Sequence, residues 1–129
     1  PSDVWKFLES EWDKEIWDIP NVKANHKEKT IHPCQYPIEL VERCILALSN
    51  EDDWILDPFA GVGSTIIASI KRRRNCVGIE KYKRYITLGK KRIDEFKKQR
   101  LKIRELGTKV LEPNEKMAVA KTPSHFYKN

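Results

Sequence analysis

Long apolar runs are missing from this sequence, and so are paired cysteines. No stretch approaches the roughly 18 consecutive apolar residues that a membrane-spanning helix needs. The first 15 residues, PSDVWKFLESEWDKE, are too acidic for a signal peptide. The three cysteines, Cys34, Cys44 and Cys76, form no CxxC pair. The sequence therefore predicts neither a disulfide framework nor a zinc knuckle, and we expect a reducing, cytoplasmic setting.

Positive charge is concentrated in one part of the chain. The composition, 40% hydrophobic and 34% charged over 129 residues, is typical of one soluble folded domain. Residues 71–104 hold 15 Lys or Arg against 3 acids, whereas residues 1–70 hold 6 bases against 13 acids. Such a block indicates an anionic partner, most commonly a nucleic acid, or the solvated face of a helix, and both interpretations remain open.

The apolar spacing predicts alternating helices and short strands. The expected elements are a helix over 37–49, a buried strand over 54–56, a helix over 64–74, a buried strand over 76–79 and a helix from 82 on. One or two short helices are expected before residue 31. We divide the chain into a connecting segment (1–31), a cofactor-binding α/β region (32–106) and a C-terminal arm or tail (107–129).

A glycine turn between the first strand and the second helix carries the candidate chemistry. Gly61 and Gly63 let the backbone turn sharply and approach a ligand, and the free N–H groups of the following helix favour an anion. Glu80 ends the second strand, where an acid accepts bonds from both ribose hydroxyls. Two glycines instead of three disfavour a dinucleotide, and Asp57 suits the cationic groups of S-adenosylmethionine. A purely structural turn is the alternative.

Three motifs in this order resemble the amino-group DNA methyltransferases, which methylate adenine N6 or cytosine N4. The motifs are IHPCQYPIELVERCILAL, DPFAGVGST and VGIEK, and an HPxQxP block before DPFxGxG is the arrangement of the beta class. The resemblance covers about residues 15–96 and corresponds to the C-terminal part of those enzymes. It implies an α/β fold that is part of a Rossmann-like methyltransferase: a βαβ unit with flanking helices, incomplete on its own.

The resemblance also implies S-adenosylmethionine as cofactor and gives roles to individual residues. Glu80 would bind the ribose, and Pro33 and Gln35 would close one side of the methionine part. The residues around the rest of the methionine part would be Asp57, Phe59, Gly61, Gly63 and Ser64.

Two basic clusters receive different interpretations, with double-stranded DNA as the expected partner. Lys81, Lys83 and Arg84 begin the last helix at the ligand edge and are the DNA-phosphate candidates. The cations at 71–74 end a helix about 15 Å long, so we expect them only to stabilise its C-terminus. His26, His32 and Cys34 have no fourth partner at a metal-ligand spacing, so no metal site is predicted, and His32 is interpreted as a positioning group at the cofactor edge.

One family feature is absent from the 129 residues. The Asp/Asn/Ser-Pro-Pro-Tyr/Phe tetrapeptide that orients the target base does not occur, so no catalytic residue is assigned. Two strands also fall short of the roughly five of a covered α/β sheet. The chain is thus a fragment, or one half of a split restriction–modification enzyme completed by a complementary half or by self-association, and is expected to be inactive alone. The alternative is a non-catalytic, methyltransferase-like binding module.

Overall fold

The structure, a computed structural model, describes residue 17, residues 19–23 and residues 26–110. Its elements are α1 (Ile38–Leu48), β1 (Trp54–Asp57), α2 (Ser64–Lys71), β2 (Asn75–Gly78) and α3 (Lys83–Lys97). This order confirms the predicted alternation of helices and strands. The expectations for residues 1–16 and 111–129 lie outside the described residues. Within the described part, no helix is long and apolar enough to cross a membrane.

The two strands lie side by side and parallel, with α2 as the crossover between them. Their register runs from Trp54 opposite Asn75 to Asp57 opposite Gly78. Because parallel strands end at the same edge of a sheet, the turn after β1 and the residues after β2 are neighbours. The predicted βαβ unit is therefore present.

Only one face of this sheet is covered by the described residues. The apolar core on that face consists of Ile38, Ile45, Ile67 and Ala68, and Ile55 packs against it. On the opposite face, Leu56 and Val77 are partners in register and are 65% and 46% exposed. Trp54 shares this face by strand alternation, and we call these three residues the bare sheet face. The prediction that both strands are buried was therefore wrong for this face.

The helix α2 ends at Lys71, three residues before the predicted end at Arg74. Arg73 adopts a φ of 60°, and the buried Arg74 guanidinium donates to the Ser49 carbonyl at 2.6 Å and hydroxyl at 3.1 Å. These contacts direct the chain into β2, which begins at Asn75 rather than at Cys76. The run of four cations at 71–74 gave no sign in the sequence that the helix ends at its first residue.

Residues 98–107 fold back over α1 and are held by buried carboxylates. The Arg104 backbone N–H donates to Glu28 Oε1 at 3.0 Å, and its guanidinium donates to Glu39 Oε2 at 2.9 Å. The Gly107 N–H also reaches Glu39, at 3.2 Å. The start of the predicted tail is therefore attached to α1, while the domain boundary itself stays a prediction.

A third buried carboxylate joins α1 to the end of α2. Lys71 Nζ and Arg72 Nε donate to the two oxygens of Glu42, at 3.1 Å and 2.5 Å. Glu28, Glu39 and Glu42 are each at most 2% exposed, and we call them the frame glutamates. Since a buried charge requires a partner, they fix how α1, α2 and residues 98–107 pack.

Candidate functional site

The glycine turn, residues 57–63, follows β1 and is tied to the chain after β2. The Ile79 N–H donates to the Asp57 carbonyl, and the Ala60 N–H donates to the Ile79 carbonyl, both at 2.8 Å. Gly61 and Gly63 have φ values of 52° and 80°, in the left-handed region that favours glycine. The two glycines thus serve the conformation that the sequence predicted for them.

The Asp57 carboxylate lies at the centre of a buried hydrogen-bond cluster. Its Oδ1 accepts the Phe59 N–H at 2.9 Å, and its Oδ2 accepts the hydroxyls of Tyr36 at 2.9 Å and Thr65 at 2.5 Å. Burial, together with the neighbouring Asp57, raises the pKa of the Tyr36 phenol to about 12. Asp57 therefore joins the segment before α1, the turn and α2, a structural role that the sequence analysis did not foresee.

Glu80 lies against the same turn from the β2 side. Its Oε2 accepts the Gly61 N–H at 3.0 Å, and its Oε1 accepts the Tyr82 N–H at 2.7 Å. Each carboxylate oxygen accepts two or more hydrogen bonds, so both oxygens keep acceptor capacity. The structure thus brings Glu80 and the glycine turn together, as the sequence predicted.

The HPCQYP segment lies on the other side of the turn, and its residues differ in their contacts. Gln35 is buried and bridges the Glu28 carbonyl and the Thr30 hydroxyl, each at 2.7 Å. The Ser64 hydroxyl donates to the Tyr36 carbonyl at 3.1 Å, which attaches α2 to this segment. Among the described contacts, the side chains of Gln35 and Ser64 are thus engaged within the protein.

Two further predicted residues have exposed side chains. Phe59 is 84% exposed, and Pro33 is also exposed. They lie on the turn and on the HPCQYP segment, and their exposed side chains are free to contact a ligand or another protein segment.

The helix α3 packs closely on the turn through Gly89 and Arg92. A Cβ on Gly89 would lie 3.4 Å from the Val62 carbonyl carbon, and Arg92 Nη1 donates to the Val62 carbonyl at 2.6 Å. Arg92 is only 4% exposed, and its burial lowers the pKa of the guanidinium. The sequence analysis counted Arg92 only as part of the basic block and missed this contact.

A cavity of about 430 Å³ opens beside the turn, between β2 and α3. Its walls are mostly isoleucine side chains and glycine backbone, with Glu80 and Lys90 as the charged members. The residues that line it are Ala60, Gly61, Gly63, Ile66, Gly78, Ile79, Glu80, Ile86, Gly89, Lys90 and Ile93. An apolar cavity with few polar groups is the usual form of a small-molecule site.

The start of α3 and the two residues before it present three cations and the Tyr82 ring to solvent, whereas the Tyr85 ring is buried. Arg84 lies over the Tyr85 ring at 4.6 Å and near the Tyr82 ring at 5.9 Å, and Lys81 lies 5.8 Å from the Tyr82 ring. Lys81, Lys83 and Arg84 are all exposed. These three candidates therefore lie next to Glu80, whereas Lys71 and Arg72 at the end of α2 bind Glu42.

The described residues contain no cluster of three or more His, Cys, Asp or Glu side chains that would hold a metal ion.

Sequence comparison finds DNA methyltransferases. The DNA methylase family pattern matches residues 3–91. The chain is 43% identical over 83 residues to the type II methyltransferase M2.MboI of Moraxella bovis, covering 64% of this chain and 30% of that protein. It is 43% identical over 79 residues to the DNA adenine methyltransferase YhdJ of Escherichia coli (strain K12), covering 61% of this chain and 27% of that protein.

Structural comparison gives the same kind of protein. A Thermus thermophilus protein named as a DNA modification methylase, in complex with S-adenosyl-L-methionine, matches with a TM-score of 0.53 and 33% identity over 74% of this chain and 33% of that chain. The M1.HpyAVI–SAM complex matches with a TM-score of 0.55 and 35% identity over 64% of this chain and 41% of that chain. The chain thus spans less than half the length of each of these relatives.

Proposed function

Because the chain belongs to the DNA methylase family, we propose that it forms the cofactor-binding portion of a DNA methyltransferase. In this proposal the enzyme transfers a methyl group from S-adenosylmethionine to adenine N6 or cytosine N4 of double-stranded DNA. The observation that carries the proposal is the junction of the glycine turn with Glu80 at the shared edge of two parallel strands. In open α/β folds, ligands bind at this edge of the sheet.

The described residues fit S-adenosylmethionine in shape and in charge. The glycine backbone at Gly61 and Gly63 allows close approach, and the cavity beside Glu80 offers apolar space for a purine ring. Glu80 retains acceptor capacity for ribose hydroxyls, and Asp57 places negative charge at the turn. When bound, the cofactor supplies an electrophilic methyl group on its sulfonium. The protein's own contribution here is to hold and orient that cofactor.

The hydrogen bonds refine the roles proposed for the other predicted residues. Gln35 and Ser64 act indirectly. The Gln35 amide binds Glu28 and Thr30, and the Ser64 hydroxyl joins α2 to the HPCQYP segment. Phe59 and Pro33 present exposed surface toward whatever occupies the site. Asp57 acts both as an anchor of the turn and as a source of negative charge.

The base-orienting part of the enzyme lies outside these 129 residues in this proposal. The Asp/Asn/Ser-Pro-Pro-Tyr/Phe tetrapeptide is absent from the sequence. Among the described residues, nothing covers the bare sheet face, and no further strand pairs with the outer edges of β1 and β2. We infer that the portion carrying the tetrapeptide covers this face, as one polypeptide with this chain or as a separate subunit. The chain alone then transfers no methyl group.

The start of α3, together with Lys81 just before it, is the proposed contact with DNA phosphates. Lys81, Lys83 and Arg84 are exposed cations beside the proposed cofactor site, and cations close to the reacting base neutralise the phosphates that flank it.

Cofactor binding is tested by calorimetric titration of S-adenosylmethionine into the enzyme that contains this chain and the tetrapeptide. Glu80→Ala is expected to weaken binding about ten- to a hundredfold, because it removes charged hydrogen bonds to ribose. Glu51→Ala removes an exposed carboxylate that pairs with Arg73 and is expected to leave the affinity unchanged. Unchanged affinity in both Glu80→Ala and Asp57→Ala would place the cofactor elsewhere.

A non-catalytic binding module is the second candidate function, because the tetrapeptide is absent. Methyl transfer to unmethylated DNA separates the two candidates. Activity that appears only when this chain is joined by a tetrapeptide-bearing portion supports the enzyme. Cofactor binding without any transfer in that complete assembly supports the binding module.

A further inference from the structure

The peptide bond between Val62 and Gly63 in the glycine turn is held at both ends. Its carbonyl accepts a hydrogen bond from Arg92 Nη1 at 2.6 Å, and its N–H donates to the Ala60 carbonyl at 2.7 Å. The Gly63 carbonyl then accepts the Ile67 N–H at 3.0 Å, at the start of α2. The orientation of this one peptide therefore determines how the turn leads into α2.

The guanidinium of Arg92 is buried without an anionic partner. Arg92 is 4% exposed, and its Nη2 atom has no hydrogen-bond partner. None of the described carboxylates forms an ion pair with it. A buried, unpaired cation is costly because its desolvation is not compensated, and an apolar side chain of similar size would avoid that cost. Folding stability alone therefore gives no reason for an arginine at this position.

The helix α3 reaches the same peptide with a second residue. Gly89 precedes Arg92 by three positions, so both residues lie on one face of the helix. An ideal Cβ on Gly89 would lie 3.4 Å from the Val62 carbonyl carbon and 3.7 Å from the Gly63 nitrogen. Glycine is unfavourable inside a helix, but here it allows α3 to lie close to the turn. Two residues that stability does not favour thus bring α3 onto the Val62–Gly63 peptide.

Arg92 contacts the turn from outside the cavity. The cavity beside the turn is lined by Gly61 and Gly63, and neither Val62 nor Arg92 is among its lining residues. A ligand in this cavity would touch the glycine backbone, whereas Arg92 would act on that backbone through the Val62 carbonyl.

We propose that Arg92 is a positioning residue of the cofactor site, which fixes the Val62–Gly63 peptide and so holds the glycine turn in the conformation that binds S-adenosylmethionine. The proposal rests on the proposed function, because it requires that this cofactor occupies the turn. It explains why a buried cation is kept at this position without an ion pair.

Two substitutions test the donor of Arg92 in calorimetry on the complete enzyme, which is this chain with its tetrapeptide-bearing portion. Arg92→Met keeps an unbranched side chain but removes the charge and the donor, whereas Arg92→Lys keeps both. Arg92→Met should weaken S-adenosylmethionine binding about tenfold, and Arg92→Lys should keep the affinity within about threefold. Unchanged affinity in Arg92→Met, or an equal loss in Arg92→Lys, would overturn the proposal.

Folding stability distinguishes a positioning role from a structural one. Because Arg92→Met removes an unpaired buried charge, its urea midpoint should be unchanged or higher although its cofactor affinity is lower. A lower urea midpoint, or a variant that does not fold, would assign Arg92 to the fold and overturn the proposal.

Hydrogen exchange measures the order of the turn without any cofactor. The Gly63 N–H is protected by its bond to Ala60, so Arg92→Met should accelerate exchange in a fragment that covers residues 59–66. Exchange in α1 should stay the same. No acceleration at the turn, or an equal acceleration in α1, would contradict a local effect of Arg92.

Arg74 supplies a matched control. It is also buried, at 7% exposure, but all three of its side-chain nitrogens donate hydrogen bonds, to Ser49 and to the Arg72 carbonyl. Arg74→Met should lower the urea midpoint, because it leaves these acceptors without their donor, and the folded enzyme should bind S-adenosylmethionine normally. Equal affinity losses in Arg74→Met and Arg92→Met would overturn the proposal.

Failure of the proposed function gives a different result. If the unsubstituted enzyme binds no S-adenosylmethionine, the proposed function fails, while hydrogen exchange still shows whether Arg92 orders the turn.

Discussion

Two of the frame glutamates, Glu39 and Glu42, differ in their hydrogen-bond partners from the two carboxylates of the candidate site, Asp57 and Glu80. Glu39 and Glu42 accept hydrogen bonds from lysine and arginine side chains. Asp57 and Glu80 accept only hydroxyl and backbone N–H groups, and no described cation forms an ion pair with either. Glu39 and Glu42 are thus neutralised in place by cations, whereas Asp57 and Glu80 are not. The third frame glutamate, Glu28, is held by the backbone N–H groups of Ile38 and Arg104.

This difference separates a structural use of acids from a binding use. A neutralised buried carboxylate holds elements together and has little capacity left for a ligand. A carboxylate held by neutral donors keeps its charge and its position, as a site for a cationic ligand requires. Substitutions in the frame should therefore change folding stability, and substitutions at the turn should change cofactor affinity.

The largest expected effect comes from Glu42→Ala. It leaves Lys71, which is largely buried, without its partner on α1, and breaking a buried pair costs about 3–5 kcal/mol of unfolding free energy. Glu51→Ala breaks the exposed pair with Arg73 and should cost less than about 1 kcal/mol. Urea denaturation of the complete protein measures both, and equal losses would contradict the distinction between buried and exposed pairs.

Asp57→Asn tests whether a charged carboxylate at the glycine turn is needed for cofactor binding. It removes the charge but keeps the shape, and the affinity for S-adenosylmethionine should fall about tenfold or more. Glu39→Gln makes the same change in a frame glutamate, so a folded Glu39→Gln variant should bind the cofactor normally. Calorimetry measures the affinity of both variants for S-adenosylmethionine. Equal losses of affinity would contradict the distinction between the site carboxylates and the frame glutamates.

Tyr36 should give the Asp57 cluster a measurable pH dependence. Its pKa is raised from 10 to about 12 in the folded protein, so the unfolded state loses this proton first as the pH increases. The stabilising contribution is complete below pH 10 and declines between pH 10 and about 12. Tyr36→Phe should lack this component, as unfolding measured for both proteins across that range would reveal. An unchanged pH profile would mean that the phenol is not coupled to folding.

The smallest expected effect concerns the exposed cations. Replacing Lys81, Lys83 and Arg84 by glutamine should flatten the salt dependence of DNA binding by up to about 0.9 per lost phosphate contact. Arg73→Gln removes an exposed cation from the end of α2 and should leave the slope unchanged. Binding titrations at several salt concentrations would show the reverse pattern if DNA lay against the other end of the helices.

Local patterns were sufficient to predict the order of elements and the glycine turn. The spacing of Ile38, Val41 and Ile45 is a helical stripe, and all three lie in the packed layer. Gly61 and Gly63 adopt the positive φ values for which glycine is suited. These features depend on near neighbours in the chain, so the sequence carries them directly.

Features that depend on distant partners were not predicted. Arg92 belongs to a basic run, yet it follows Tyr85 by seven residues and therefore lies on the same buried stripe of α3. This spacing was the available signal for its contact with Val62. The contacts of Glu39 with Arg104 and of Glu42 with Lys71 gave no comparable signal, because these partners lie 65 and 29 residues away in the sequence. The end of α2 depends likewise on the contact of Arg74 with Ser49.

The bare sheet face has a consequence for how a cell makes this protein. Leu56 and Val77 form an apolar wall between two unsatisfied strand edges, and such a wall adheres to copies of itself when nothing else covers it. In the proposed enzyme, a copy of this portion that is synthesised without the remainder is therefore expected to aggregate instead of assembling correctly. Balanced production of the two proposed portions, or their fusion in one chain, would prevent this aggregation.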